Sequence, residues 1–365
     1  MKKWVVLILS LLLCPTAVSC AEQKSAFQAK PVDGIPLAFD DGTEYYSVSP
    51  SVIVENDEMY AYYTSNKTAH KRDGAVALRK ASLKNGEWEF GERQIVLEAS
   101  EMGWDAGSVG DADVVKGNFG YQGKTYSYFM AYQGCADKSE RNQQIGAALA
   151  ERPEGPFIKL PEPIVQYDAS VSGYAWGVGQ PSLISEDNGG KIRLYYTVGE
   201  ESFTYTMTAE LDCSDCGNIK GAESAFMMPV QGLSDGVRNE TVFNNAGFAK
   251  SGDMLFVVRD FNPVAAIEPT VSTAVQLARM SVADVYSVDC AWTVLDERIN
   301  DIDLAGEGDL NGWQRVYSAS VVKDGYGNVY GANVTLALTV TAFDEQTREY
   351  RYYQGIAIYT SDYDA

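Results

Sequence analysis

Beyond its first twenty residues, the chain alternates apolar and polar positions in short runs and shows almost no helical periodicity. In the run Met59-Tyr-Ala-Tyr-Tyr-Thr-Ser65, Tyr60, Tyr62 and Thr64 share one face and Ala61, Tyr63 and Ser65 the other. That is the two-residue period of a strand. Gly and Asn/Asp turns punctuate such runs throughout, which predicts an all-β chain built from hairpins.

The hairpins repeat. Ser49-Pro-Ser-Val-Ile-Val leads through Glu55-Asn-Asp-Glu58 into the aromatic strand that begins at Met59. The same order of strand, tight turn and apolar strand starts again at Asp111, Gln180, Asn244 and Ser318, and each interval has room for a four-stranded blade. The copy at Asn244 is the weakest. These five copies predict a single five-bladed β-propeller over residues 45–365, whereas a sandwich would leave the repeat unexplained. Most of the tyrosines and phenylalanines then belong between blades as core. The terminal run Gln354-Gly-Ile-Ala-Ile-Tyr359 is expected to close the ring with the N-terminal blade.

The N-terminus reads as an export signal. Lys2 and Lys3 precede an apolar run, Trp4 to Leu13, too short to span a bilayer. Ala17-Val-Ser-Cys20 follows and resembles a bacterial lipobox. Residues 1–19 are expected to be removed, Cys20 lipidated, and residues 20–44 to serve as linker and N-terminal segment. The alternative is plain cleavage after Ala21. A lipidated Cys20 implies an exported protein held in the cell envelope, with Ala21 resembling the signal for delivery to the bacterial outer membrane.

Charge narrows the partners. With 29 basic and 50 acidic side chains, the net charge is −21, which repels nucleic acid and anionic lipid headgroups. Contact with a membrane is thus expected through the anchor alone. The single histidine, His70, removes His-based triads and multi-His metal sites from consideration. It falls in a polar loop of blade one, where solvent exposure is expected. Cys135, Cys213, Cys216 and Cys290 are an even set for an oxidising compartment and allow three pairings. Cys213-Ser-Asp-Cys216 also looks like half a zinc knuckle or a redox pair, but with no second CxxC a loop-closing disulfide is the expected reading.

Two stretches carry a family resemblance. Trp104-Asp-Ala-Gly-Ser-Val-Gly-Asp-Ala-Asp-Val-Val115, leading into Tyr128-Phe-Met-Ala-Tyr-Gln-Gly134, resembles the second blade of five-bladed glycoside hydrolases. Ile145-Gly-Ala-Ala-Leu-Ala-Glu-Arg-Pro-Glu-Gly-Pro-Phe157 resembles the strand and turn that closes that blade. Families 43, 32 and 130 share this architecture. The resemblance implies that the first residue of each innermost strand points into an axial funnel, here Ser49, Asp111, Gln180, Asn244 and Ser318. Short hydrogen-bonding groups around an axis suit sugar hydroxyls, although a water-filled channel has the same polarity.

The resemblance also implies an Asp opening blade one, an Asp opening blade two and a Glu in blade three. Glycoside hydrolysis needs two carboxyl groups flanking the bond. Here blade one opens with Ser49 and blade three with Gln180, so only Asp111 fits. The candidate catalytic set is therefore Asp111 with Asp113 and Glu240. Asp105 is a further candidate at the funnel, as are Asp40, Asp41 and Glu44 ahead of blade one. Trp104, Tyr174 and Trp176 precede innermost strands, either as platforms for a pyranose face or as packing between blades.

Three functions follow, in order: a glycoside hydrolase-like enzyme with rearranged acids, a glycan-binding propeller without catalysis, and an envelope scaffold. No cofactor is expected. An axial calcium is conceivable from the acid and amide groups, with nothing in the sequence to support it.

Overall fold

The computed structural model describes residues 30–31 and 46–365, apart from residues 70, 72, 137–140, 168–175, 201–203, 234–242, 262–271, 273, 288–289, 300–314 and 345–348. Cys20, Asp40, Asp41, Glu44, His70, Tyr174 and Glu240 lie outside the described residues.

Five antiparallel sheets follow one another along the chain as a five-bladed β-propeller. Blade one runs outward from Val48–Glu55 through Glu58–Asn66 and Gly74–Lys84 to Glu87–Phe90, with Gln94–Glu98 also paired to its third strand. Blade two runs from Ser108–Tyr121 through Lys124–Cys135 and Gln144–Ala150 to Ile158–Lys159. Blade three comprises Gly177–Ser185, Lys191–Gly199, Thr204–Asp212 and Phe226–Met227. Blade four comprises Gly247–Ser251, Met254–Phe261, Ala274–Ser281 and Thr293–Ile299. In blade five, Arg315–Val321, Asn333–Asp344 and Glu349–Asp364 are joined at the outer edge by Lys30–Pro31.

That last pairing corrects the expected ring closure. The strand containing Gln354–Tyr359 does not cross to the N-terminal blade but is the third strand of blade five. Lys30 and Pro31 come to it, opposite Ile358 and Ala357. The reason is an exposed edge: the third strand presents unpaired backbone groups, and a short strand ending in proline caps them without needing a partner on its own outer side. Blade five also hooks onto blade one near the axis, where Lys323–Asp324 pairs in parallel with Ile53 and Val54.

The alternation seen in the sequence decides which blade each side chain meets. Tyr60 and Tyr62 pack with Val109, Val114, Tyr128 and Tyr132 of blade two. Ala61, from the opposite face of the same strand, packs with Val322 and Ala337 of blade five. Burying each such large apolar side chain stabilises the fold by about 1.5–3 kcal/mol. The buried phenols keep hydrogen-bond partners: the Tyr62 hydroxyl donates to Pro153 O at 2.6 Å and that of Tyr128 to Glu55 Oε2 at 2.6 Å.

The expected disulfide is absent among the described residues. Cys213 and Cys216 are buried thiols, and the Cys216 Sγ donates to the Cys213 carbonyl at 3.2 Å. The hydrogen bond with Cys216 and burial push the Cys213 thiol far up. The turn is instead fixed by its backbone, with Cys213 N donating to Gly190 O and Cys216 N to Gly120 O.

Candidate functional site at the propeller axis

Five tripeptides meet at the axis, one from each innermost strand: Ser49-Pro50-Ser51, Asp111-Ala112-Asp113, Gln180-Pro181-Ser182, Asn245-Ala246-Gly247 and Ser318-Ala319-Ser320. They line a cavity of about 40 Å³. The first residue of each is polar and left-handed, with φ of 53° at Ser49, 42° at Asp111, 52° at Gln180, 45° at Asn245 and 43° at Ser318. In four blades the ladder between first and second strands slips at this point, between Val48/Ser51, Gly110/Asp113, Gly179/Ser182 and Tyr317/Ser320. A bulge of this kind turns one side chain out of the sheet and toward the axis.

Left-handed backbone costs a non-glycine residue about 1–2 kcal/mol, so something must hold it. The holder is a side chain on the second strand of the preceding blade. Asp111 N donates to Thr64 Oγ1 at 2.6 Å, Gln180 N to Gln133 Oε1 at 3.2 Å, Ser318 N to Asp260 Oδ1 at 2.6 Å and Ser49 N to Thr339 Oγ1 at 3.0 Å. Asn245 departs from the pattern, its N–H going to Gln180 Oε1 at 2.9 Å. Thr197, which would hold it in blade three, has a buried hydroxyl with no hydrogen-bond partner.

The structure therefore places Ser49, Asp111, Gln180 and Ser318 where the repeat puts them. It corrects the fourth position: Asn245, not Asn244, opens the tripeptide and lines the cavity. Two adjacent asparagines hide the register, and the signal that separates them is the small residue that follows Asn245, matching Pro50, Ala112, Pro181 and Ala319.

Asp113 lies at the floor of the cavity but is engaged elsewhere. Its Oδ1 accepts from the Ser51 hydroxyl and from Val114 N at 2.9 Å. Its Oδ2 accepts from Leu183 N and from Lys323 Nζ, both at 2.6 Å. A carboxylate has about four acceptor directions, and all four are filled. Asp113 joins blades and has no lone pair left for a substrate proton. Asp105 is likewise structural: it is buried, with Lys159 Nζ at 2.6 Å and the Tyr132 hydroxyl at 3.0 Å.

Trp104 is packing. Its ring stacks on Tyr132 at 5.6 Å and 23°, and it occupies the space where a Cβ on Gly146 would fall, 2.5 Å from the indole. Trp176 fills similar gaps over Gly179 and Gly199, where an added Cβ would meet its ring at 2.8 Å and 2.9 Å. It is half-buried and lies over the glycine that precedes Gln180.

A carboxylate missing from the sequence reading joins the site. Asp260, buried at the end of the second strand of blade four, accepts from Ser318 N at 2.6 Å and from Asn245 Nδ2 at 2.7 Å. Burial pushes its carboxyl up, against the pull of those two donors and of Arg315. The neighbouring hydroxyls complete a chain, with Ser49 Oγ and Ser318 Oγ 2.7 Å apart and Ser318 Oγ 3.4 Å from Asn245 Oδ1. Among the described residues, no group of three or more His, Cys, Asp or Glu is arranged to hold a metal ion.

No family model and no curated protein matches this chain. Solved structures do. A family 117 glycoside hydrolase from the marine bacterium Zobellia galactanivorans aligns with a TM-score of 0.59 at 14% identity, over 92% of this chain and 89% of that one. A family 43 enzyme from Xanthomonas citri, complexed with xylotriose, aligns with a TM-score of 0.56 at 14% identity, covering 92% of this chain and 90% of the other. An α-L-arabinofuranosidase from Podospora anserina, in complex with cellotriose, gives 0.55 at 9% identity, over 92% and 96% of the two chains. The chain thus has the five-bladed propeller fold of these glycoside hydrolases along nearly its whole length.

Proposed function

We propose that the protein binds carbohydrate at the funnel end of the propeller axis, using the architecture of a glycoside hydrolase without its usual pair of acids. The observation that carries this reading is the chemistry of the five opening residues. The resemblance implies acids opening blades one and two and a Glu in blade three, and the positions hold Ser49, Asp111 and Gln180. Asp113, the nearest substitute, has its acceptor capacity filled by Ser51, Val114, Leu183 and Lys323. What remains at the axis is a ring of hydroxyl, amide and carboxylate groups suited to sugar hydroxyls. The cavity of about 40 Å³ admits a water-sized guest, so a sugar ring would stand over its mouth.

Hydrolysis with rearranged acids is the second reading, and Asp260 is the observation that favours it. A carboxyl pushed up by burial, bonded to Asn245 and Ser318 of the same ring as Asp111, is the kind of contrast that acid–base chemistry uses. In either reading, the export signal and Cys20 would hold the propeller by lipid at the envelope surface.

A panel of oligosaccharides separates the readings. Saturable binding with no new reducing ends supports a glycan-binding protein. Release of sugar that disappears in Asp111→Asn supports the enzyme, and neither binding nor release overturns the carbohydrate reading.

A further inference from the structure

Asp260 touches two of the five opening residues, from the strand behind them. Its Oδ2 accepts from Asn245 Nδ2 at 2.7 Å and its Oδ1 from Ser318 N at 2.6 Å. The oxygen and nitrogen of an amide are told apart by their partners. A carboxylate that takes the Asn245 NH₂ leaves the Asn245 carbonyl oxygen on the other side, 3.4 Å from Ser318 Oγ. Gln180 is set in the opposite sense, because its Oε1 takes Asn245 N and its NH₂ is the group that remains.

The polarity of the ring can then be read residue by residue. Asp111 presents a carboxylate and Asn245 a carbonyl oxygen, both acceptors, while Gln180 presents an amide donor. Ser49 and Ser318 share a hydrogen over 2.7 Å. No lysine or arginine is among the described lining residues. Cations close to the ring are engaged: Lys323 by Asp113 and Leu183 O, Arg259 by Gln276 and Leu233 O, and Arg315 by Ser272 O and the face of Tyr317. A carboxylate or sulfate on a sugar would meet the Asp111 carboxylate and the Asn245 carbonyl here, with no cation among the described lining residues to offset the repulsion, on a chain of net charge −21.

We infer that Asp260 is a positioning residue that fixes Asn245 as an acceptor and so restricts the axial site to uncharged or amine-bearing sugars, excluding uronic acids and sulfated sugars. This rests on the carbohydrate-binding reading above and adds its selectivity. The groups around Asp260 agree. Arg315 attracts it electrostatically, and Tyr317, beside Ser318, lies within electrostatic reach of both Asp260 and Asp111.

The test compares the wild-type protein with Asp260→Asn and Asn245→Ala, using matched neutral and uronate-containing oligosaccharides. Wild type should prefer the neutral member by about tenfold or more, because like charges brought together across a binding site are costly. Asp260→Asn can donate where Asp260 accepts, which frees the Asn245 amide to turn. The neutral-to-uronate ratio should fall several-fold, a change that loss of stability alone would not produce. Asn245→Ala removes the oriented amide while leaving Asp260 on Ser318 N, and should lower the ratio if Asp260→Asn fails to fold. Equal or better binding of uronates by wild type overturns the inference, as does an unchanged ratio in the folded variants. If wild type binds no sugar of either kind, the carbohydrate reading fails and this inference with it.

Discussion

Asp113 and Lys323 meet beside the propeller axis at 2.6 Å, both almost fully buried. The lysine arrives from the short strand after the first hairpin strand of blade five and also donates to Leu183 O of blade three at 3.1 Å. One ion pair thereby ties blades two, three and five beneath the ring. Breaking a buried pair by removing one partner costs about 3–5 kcal/mol, because the other charge is left unpaired. Lys323→Ala should lose stability of that order in urea unfolding, and Asp113→Asn with Lys323→Met together should lose less than the sum of the single changes.

Ring closure depends on two residues far from the rest of their blade. Deleting the chain through Pro31 removes the strand opposite Ala357 and Ile358. The expected loss is about 1–3 kcal/mol, from a few backbone hydrogen bonds. The uncovered edge should also show as concentration-dependent aggregation in light scattering, compared with a chain that begins at residue 25.

Alkaline pH should unfold the protein through its core phenols. Burial pushes the Tyr196 hydroxyl up to about 12. Burial also raises Tyr62, Tyr132 and Tyr195. For such a group the folded state holds its proton longer than the unfolded chain, whose tyrosines ionise near pH 10. Its contribution is complete below that pH and is lost as pH rises toward the folded value. Denaturant midpoints should fall steeply above about pH 10, and the tyrosinate absorbance of the buried phenols should rise with unfolding, after that of exposed ones such as Tyr286. Tyr196→Phe should soften the slope.

Replacing Cys20 with Ser should release the full-length protein from the membrane fraction of its producing cell. Unchanged fractionation of that variant would count against a lipid anchor.

The repeat was legible because its physics is local. Turn residues and a two-residue aromatic alternation mark each hairpin, and Tyr60 and Ala61 go to opposite neighbouring blades as that alternation requires. Asn245 was missed by one residue, since its neighbour Asn244 offers the same chemistry and only the small residue after Asn245 distinguishes them. Long-range pairing was not legible. Asp113 looks like a funnel acid until Lys323, 210 residues away, is placed on it. Asp260 sits at the end of a strand whose apolar run, Leu255 to Val258, gives no sign of a site. It reaches the axis only because its blade packs beside Ser318. Trp104 carried no mark of stacking on Tyr132, and the two-residue strand at Lys30 is too short for any pattern.

The central claim, that the axis binds sugar through Asp111 and its ring without cutting it, is tested most directly by calorimetric titration. The oligosaccharide that binds wild type best would be titrated into wild type and Asp111→Asn, with both mixtures then analysed for cleavage products. Binding to wild type, weakened about tenfold or more by a change that removes one charge-assisted hydrogen bond, with intact sugar recovered from both, is the predicted result. Cleavage by wild type that the variant abolishes, or binding that is indifferent to Asp111, would contradict it.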